Sequence, residues 1–213
     1  MVFMTVLKRS IKDMPAEMFR METFAPGMTV FGLSFIMLFL GMLVMNDRNS
    51  SFLPRLYSSP MTAADYIVGY IVPMIPIGVL QTAVCLAVAA VLGLEVSINW
   101  LGFAAVLIPV ILMFASLGLL LGVIFSTPAI NGIGTVIINL SALLSGTWFS
   151  LELVGEGFRT FCYCLPFAHS VDAATKALAG DYSEIAVNLL VVLGYTAVFL
   201  ILGSVLFKKK MKN

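Results

Sequence analysis

The chain has 213 residues, of which 61% are hydrophobic and only 11% are charged, against roughly 25% charged in an average soluble protein. This composition argues against a soluble globular protein, and the formal net charge of +1 gives no basis for binding nucleic acid. Asp, Glu, Lys and Arg are absent from the four runs 23–46, 66–94, 96–151 and 185–207. Charge-free apolar runs of about 18 or more residues are typical of membrane-spanning helices. The sequence therefore predicts an all-α polytopic membrane protein.

The predicted elements follow one another with little sequence between them. Residues 1–24 form an amphipathic segment that we expect at the membrane interface. Residues 25–208 form the transmembrane domain, and the basic tail 209–213 follows it. Five transmembrane helices are predicted. Their ranges are Gly27–Met45, Tyr66–Leu94, Trp100–Phe125, Ala129–Phe149 and Ile185–Phe207.

Prolines and glycines predict local features of these helices. Pro73 and Pro76 predict a kink in the second helix, because each lacks a backbone N–H and frees a carbonyl. The third and fourth helices are expected to separate at residues 126–128, since a 56-residue run is too long for one span. Gly118 and Gly122 are spaced for close helix packing, either within the chain or at a subunit interface.

An amphipathic external hairpin, residues 150–181, joins the last two predicted spans. Apolar residues recur at helical spacing through residues 154–165, and we expect Pro166 to end this first short helix. Ser170 is expected to cap a second short helix, Val171–Ala179. Two short amphipathic helices favour a location at the bilayer interface.

The distribution of basic residues predicts the orientation. Five spans place the two termini on opposite sides of the membrane. Outside residues 1–24, six Lys and Arg lie in the first loop and the tail, and two lie in the hairpin. The four basic residues of the N-terminal segment make the totals equal, so the orientation depends on the rest of the chain. The positive-inside rule then predicts a multi-pass protein of the cell membrane with a cytoplasmic C-terminus.

Three stretches together resemble the membrane subunit of a type 2 ABC exporter. The first is residues 24–31, at the start of the first span. The second is residues 47–60, which end in Leu-Tyr-Ser-Ser-Pro, and the third combines residues 144–149 with 165–173. The resemblance implies a permease domain that corresponds to the second to sixth helices of a six-helix family, with the first helix missing.

The resemblance also implies that residues 46–60 are a coupling segment that docks on a separate ATPase. Charged side chains would pair with the ATPase, and apolar ones would fill its cleft. These residues are Asp47, Arg48, Phe52, Leu53, Arg55 and Leu56. The segment alone leaves open an interfacial loop whose arginines meet lipid phosphates.

The chain is not expected to be an enzyme. No lysine follows a glycine, so the phosphate-binding loop of an ATPase is absent, as are the motifs of membrane-embedded hydrolases. We expect no cofactor and no metal. Cys162 and Cys164, with His169 nearby, suggest a metal site, but Pro166 separates the thiols from the imidazole, and cysteine in apolar company is usually packing.

The polar side chains of the spans are the remaining candidates. No ionisable residue lies deep in any span, which argues against an ion-coupled carrier. A substrate path is one interpretation, and hydrogen bonding between helices, worth about 0.6 kcal/mol per contact, is the other. The candidate path residues are Gln81, Asn131, Thr135, Asn139 and Ser145.

We therefore predict a permease subunit that exports a drug, a lipid or another amphipathic substrate. It would pair with a second permease copy or homologue, with a separate ATPase and with membrane lipid. The alternative is a structural or assembly subunit without a transport path.

Overall fold

The computed structural model describes residues 21–50, 63–148 and 155–211. Every regular element in these ranges is a helix. The helices are α1 Met21–Asn49, α2 Ala63–Ile71, α3 Met74–Val91, α4 Asn99–Ile124, α5 Thr127–Leu144, α6 Glu156–Tyr163, α7 Pro166–Ala179 and α8 Ile185–Met211. The predicted N-terminal segment, apart from its last four residues, lies outside the described residues, as do Phe52, Leu53, Arg55 and Leu56.

Four stretches of helix in the described ranges are long and apolar enough to cross a membrane. They are Glu22–Asn49, Ala64–Val91, Asn99–Ile124 and Ile185–Phe207. The predicted all-α polytopic fold is confirmed. The fourth predicted span is shorter than expected, because α5 ends at Leu144 instead of Phe149. Gly146 has a φ of +76°, a left-handed conformation that ends helices. The 18 residues of α5 reach about 27 Å at 1.5 Å per residue.

The predicted kink in the second span is confirmed as a break at Val72 and Pro73. The helix α2 stops at Ile71, and α3 begins at Met74. The Val72 carbonyl cannot receive a bond from Pro76, which has no N–H, and it accepts one from the Ile75 N–H at 3.2 Å.

The hairpin helices differ from the prediction. Pro166 starts α7, because proline suits the first turn, where its missing N–H costs nothing. Ser170 is therefore not a cap: its hydroxyl donates to the Pro166 carbonyl one turn earlier, at 2.8 Å. Most of α7 is buried against α1, α4 and α8. The helix thus belongs to the bundle and does not lie at its surface. Gly180, with a φ of +79°, closes the helix after Ala179, where the predicted helix also ends.

The core of the bundle is α4. Every residue from Met113 to Val123 is buried, and α4 packs against α1, α8, α7, α3 and α2. The helix α5 lies at the periphery, where it packs mainly on α1.

Glycines bring the backbones of α1 and α4 into contact. A Cβ on Gly122 would lie 2.6 Å from the Gly41 carbonyl oxygen and 2.7 Å from the Cβ of Val44. A Cβ on Gly118 would collide with the backbone of Met37. Both glycines therefore lie at a contact within the chain, where small residues allow close approach. Of the two locations that the sequence allowed, the structure therefore supports the one within the chain and not the subunit interface.

The two ends of the bundle carry different structures. Asp47 and Arg48 of α1 contact α2 and the end of α4, and Phe207 of α8 stacks on Tyr66 of α2. We call this the α1–α2 end. The opposite end, the hairpin end, holds α6, α7 and Trp148, whose ring contacts Phe24 near the start of α1.

Candidate functional site

Three polar residues of α5 form an exposed row along the helix. Asn131, Thr135 and Asn139 recur every four residues, and all three are exposed. The Thr135 hydroxyl donates to the Asn131 carbonyl at 2.7 Å, and the Asn139 amide donates to the Thr135 carbonyl at 2.8 Å. These bonds follow the helix itself, and among the described residues none joins these side chains to another helix. We call the row the polar stripe.

The opposite side of α5 packs closely on α1. A Cβ on Gly134 would lie 2.6 Å from the Leu38 side chain, and Ile130 lies 2.9 Å from the position of a Cβ on Gly41. Ile130 and Ile138 are buried. This packing fixes the rotation of α5 and leaves the polar stripe uncovered.

The helix α1 presents an exposed row of its own. Phe35, Phe39 and Leu43 recur every four residues, and Phe39 is 71% exposed. We call these three residues the aromatic row, after the two phenylalanines. Gly32 contacts α3 on one side of this aromatic row, and Leu38 contacts α5 on the other. The row therefore lies on the face of α1 between α3 and α5.

The polar stripe and the aromatic row face the same side of the bundle. On the helical wheel the stripe lies opposite Leu144, which packs against Cys162 and Ala168 of the hairpin. The aromatic row lies opposite Met37, which contacts α4. The helix α7 packs on α4, so these two helices form one inner layer of the bundle. Both rows point away from this layer. We call the surface that they form the α1–α5 face.

Aromatic rings close the α1–α5 face at the hairpin end. Trp148, 53% exposed, meets Phe24 and Phe31 edge to face, with ring centroids 6.3 Å apart in each pair. Phe31 in turn meets Phe35 at 5.5 Å.

Two of the predicted path residues do not belong to the stripe. Gln81 of α3 lies against Gly32, on the other side of the aromatic row, and is half-buried. Ser145 is buried at the end of α5, where its hydroxyl is 2.7 Å from that of Thr147 and 3.1 Å from the Ala142 carbonyl. The structure thus brings together only three of the five on α5.

The two described charged residues of the coupling segment are engaged inside the chain. The Arg48 guanidinium donates to the Val123 carbonyl and, at 2.8 Å, to the Phe125 carbonyl. The Tyr70 hydroxyl donates to the Asp47 carboxylate. No sequence pattern predicts these contacts, because the partners of Arg48 are backbone atoms some 75 positions away.

The hairpin end holds a second polar cluster, around a buried imidazole. The Nδ1 atom of His169 lies 2.7 Å from the Asn188 amide oxygen, and its Nε2 atom lies 3.0 Å from the Tyr163 carbonyl oxygen. The Tyr163 hydroxyl donates to Asp172 at 2.6 Å. Burial, together with this bond, raises the pKa of Tyr163 to about 12.

The two hairpin thiols occupy different environments. Cys162 is buried, which raises the pKa of its thiol, whereas Cys164 is exposed. Within the described part of the chain, no group of three or more His, Cys, Asp or Glu side chains could hold a metal ion.

A comparison with protein families identifies the chain. A family model described as "ABC-2 family transporter protein" matches residues 11–205. The chain belongs to the ABC-2 transporter family. The family assignment confirms the resemblance found in the sequence. Searches of curated proteins and of solved structures gave no match.

Membership in the ABC-2 family sets the general role of the chain. It is a multi-pass membrane transport component, and permeases of this family typically work with an ATPase subunit and are generally not catalytic themselves. The α1–α5 face and the α1–α2 end are therefore features of an ABC transporter permease.

Proposed function

We propose that this ABC-2 permease exports an amphipathic molecule, such as a drug or a lipid, along its α1–α5 face. The observation that carries the proposal is the exposed polar stripe beside an exposed aromatic row. In our proposal, a second permease copy or homologue covers this face, and the path lies between the two subunits.

The free-energy cost of exposing the polar stripe to lipid supports a face that a second subunit or water covers. Moving an amide or hydroxyl into hydrocarbon without a partner costs about 4–8 kcal/mol on alkane scales, so polar groups within membranes usually face protein or a water-filled cavity. The bonds that Thr135 and Asn139 make to their own helix offset only part of this cost. A partner subunit or a hydrated path would satisfy the remaining polar groups.

The chemistry of the face supports an amphipathic substrate. The stripe offers amide and hydroxyl groups, and Phe35 and Phe39 offer apolar contact area. The runs that form α1 and α5 carry no Asp, Glu, Lys or Arg between residues 23 and 46 or 127 and 148. A molecule with a polar and an apolar part fits such a surface better than an inorganic ion does.

We further propose that a separate ATPase drives export by docking on residues 46–60. The family typically works with such a subunit, and the sequence itself has no phosphate-binding loop. In this proposal, nucleotide-driven closure of the ATPase pushes on the segment, and the transmembrane helices move between inward-facing and outward-facing states.

The test combines co-purification with a stimulation assay. The tagged chain is purified from detergent-solubilised native membranes, and ATP hydrolysis by the complex is measured with a panel of amphipathic drugs and lipids. Stimulation should be lost in Asn139→Leu and retained in Val136→Leu, an exposed position beside the stripe. Equal stimulation in both variants would argue against a path along the stripe. Purification without any ATPase would refute the exporter and favour the structural subunit.

A further inference from the structure

The charged residues at the end of α1 bind the end of α4. Arg48 lies in the last turn of α1 and donates to the carbonyls of Val123 and Phe125. The helix α4 ends at Ile124, so these carbonyls are among those that helix geometry leaves without an intrahelical partner. A cation is also favourable at a helix C-terminus. Arg48 therefore caps α4 and joins it to α1.

The neighbouring residue joins α1 to α2. Asp47 accepts a hydrogen bond from the Tyr70 hydroxyl. One turn earlier in α2, Tyr66 is buried and lies 4.5 Å from the Tyr70 ring. The Tyr66 ring stacks on Phe207 of α8, with centroids 4.1 Å apart and an angle of 13° between the planes. We call these five side chains, Asp47, Arg48, Tyr66, Tyr70 and Phe207, the end clamp.

The position of the end clamp gives it a mechanical consequence. The helix α1 ends at Asn49 and α2 begins at Ala63, so the intervening segment starts and finishes at the clamp. The nine residues of α2 are separated from α3 by the break at Val72 and Pro73. The clamp adds side-chain contacts to the packing of α2 on α4 and α8, so α2 is joined to the bundle by more than its chain connection through Pro73.

We infer that the end clamp transmits movement of residues 50–62 to α4 and α8, with Arg48 and Tyr70 as positioning residues. The inference rests on the proposed function, in which a docked ATPase supplies the movement. Beside the chain connection through Pro73, the clamp makes three direct connections, from α1 to α4, from α1 to α2 and from α2 to α8. In this role, Asp47 and Arg48 act through contacts inside the permease.

Two variants test the clamp with little change in shape. Tyr70→Phe removes the hydroxyl and keeps the ring beside Tyr66. Arg48→Lys keeps the charge but loses the two-pronged donor geometry. Tyr182→Phe is the matched control, because Tyr182 is an exposed tyrosine at the hairpin end.

The first measurement is hydrogen–deuterium exchange of the purified chain, which needs no ATPase. In Tyr70→Phe, amides of α2 should exchange roughly fivefold faster, the factor expected for the loss of one hydrogen bond. In Arg48→Lys, the last turn of α4 should exchange faster as well. Tyr182→Phe should match the wild type. Unchanged exchange at the α1–α2 end in both clamp variants would overturn the inference.

The second measurement uses the complex with its ATPase. Cys164, exposed at the hairpin end, is labelled with a membrane-impermeant maleimide with and without ATP and vanadate. The labelling rate should respond to nucleotide in the wild type and in Tyr182→Phe, and the response should be smaller in Tyr70→Phe, which loses the α1–α2 connection, although the ATPase still binds and hydrolyses ATP. A normal response in Tyr70→Phe would overturn the transmission role. If no ATPase accompanies the wild type, the proposed function fails and the transmission role with it, while the exchange data separately report whether the clamp holds the helices.

Discussion

Alanine at Gly122 should destabilise the bundle, whereas alanine at Gly194 should not. A Cβ on Gly122 would lie 2.6 Å from the Gly41 carbonyl oxygen and 2.7 Å from the Val44 Cβ. Ordinary contacts begin near 3.4 Å, so α1 would have to move away from α4 by close to an ångström. A Cβ on Gly194, in the middle of α8, meets nothing within 4 Å.

The magnitudes follow from two opposing terms. Overpacking a close contact costs typically about 1–3 kcal/mol, and replacing glycine by alanine within a helix returns about 1 kcal/mol. The net loss for Gly122→Ala is therefore up to about 2 kcal/mol. Gly194→Ala has only the favourable term. For a chain of this size, 1 kcal/mol corresponds to about 2–4 °C in Tm, so Gly122→Ala should lower Tm by up to about 8 °C.

The chain provides its own probe for the assay. Cys162 is fully buried, so a thiol-reactive dye reports unfolding in detergent when the other two cysteines, the exposed Cys164 and the partly exposed Cys85, are first replaced by serine. Both glycine variants are measured in that background. A Tm for Gly122→Ala equal to or above that of Gly194→Ala would refute the close contact of α1 with α4.

Three further predictions concern the face and the hairpin. Cysteine at Thr135, in a background without the native cysteines, should cross-link to the partner permease, whereas cysteine at Val198, exposed on α8, should not; the reverse pattern on a denaturing gel would contradict the proposed covering of the α1–α5 face. His169→Ala should lower Tm, because it leaves the Asn188 amide and a backbone carbonyl without their partner at about 1–3 kcal/mol for each buried group; an unchanged Tm would show that water replaces the imidazole. The pKa of Tyr163 is raised from 10.0 to about 12, so the folded state keeps a proton that the unfolded state releases, and the stability due to this group is full below pH 10 and is lost between pH 10 and 12. A stability difference between wild type and Tyr163→Phe that does not change over this pH range would contradict the assignment.

Most of the transmembrane architecture could be predicted from the sequence, because its cause is local. A charge-free apolar run predicts a span wherever it occurs, and the break at Pro73 follows from the missing N–H of proline. The misplaced boundaries have local causes too. Gly146 takes a left-handed conformation and ends α5 early, and Pro166 starts a helix instead of ending one.

The candidate site was less predictable, because its geometry depends on contacts between distant elements. The four-residue spacing of Asn131, Thr135 and Asn139 indicates a common face, but only the packing of α5 on α1 leaves that face exposed. Ser145 is also polar but lies buried, because it is out of step with the four-residue spacing and falls on the side of α5 that carries Gly134 and packs on α1. From its place at the end of a span, Arg48 is predicted to contact a partner protein. It instead caps α4, a helix that is distant in the sequence.

The helix α1 links the end clamp to the α1–α5 face, and this explains how the two regions work together in the proposed mechanism. One end of α1 carries Asp47 and Arg48 of the end clamp, and its middle carries the aromatic row of the α1–α5 face. The glycine contact holds α1 against α4 so closely that neither can slide without the other. A push on residues 50–62 would therefore move α1 and α4 as one body. The helix α5 contacts this body mainly through α1, so the polar stripe would move with α1. The proposed path between the two permease subunits would then widen or narrow along its whole length.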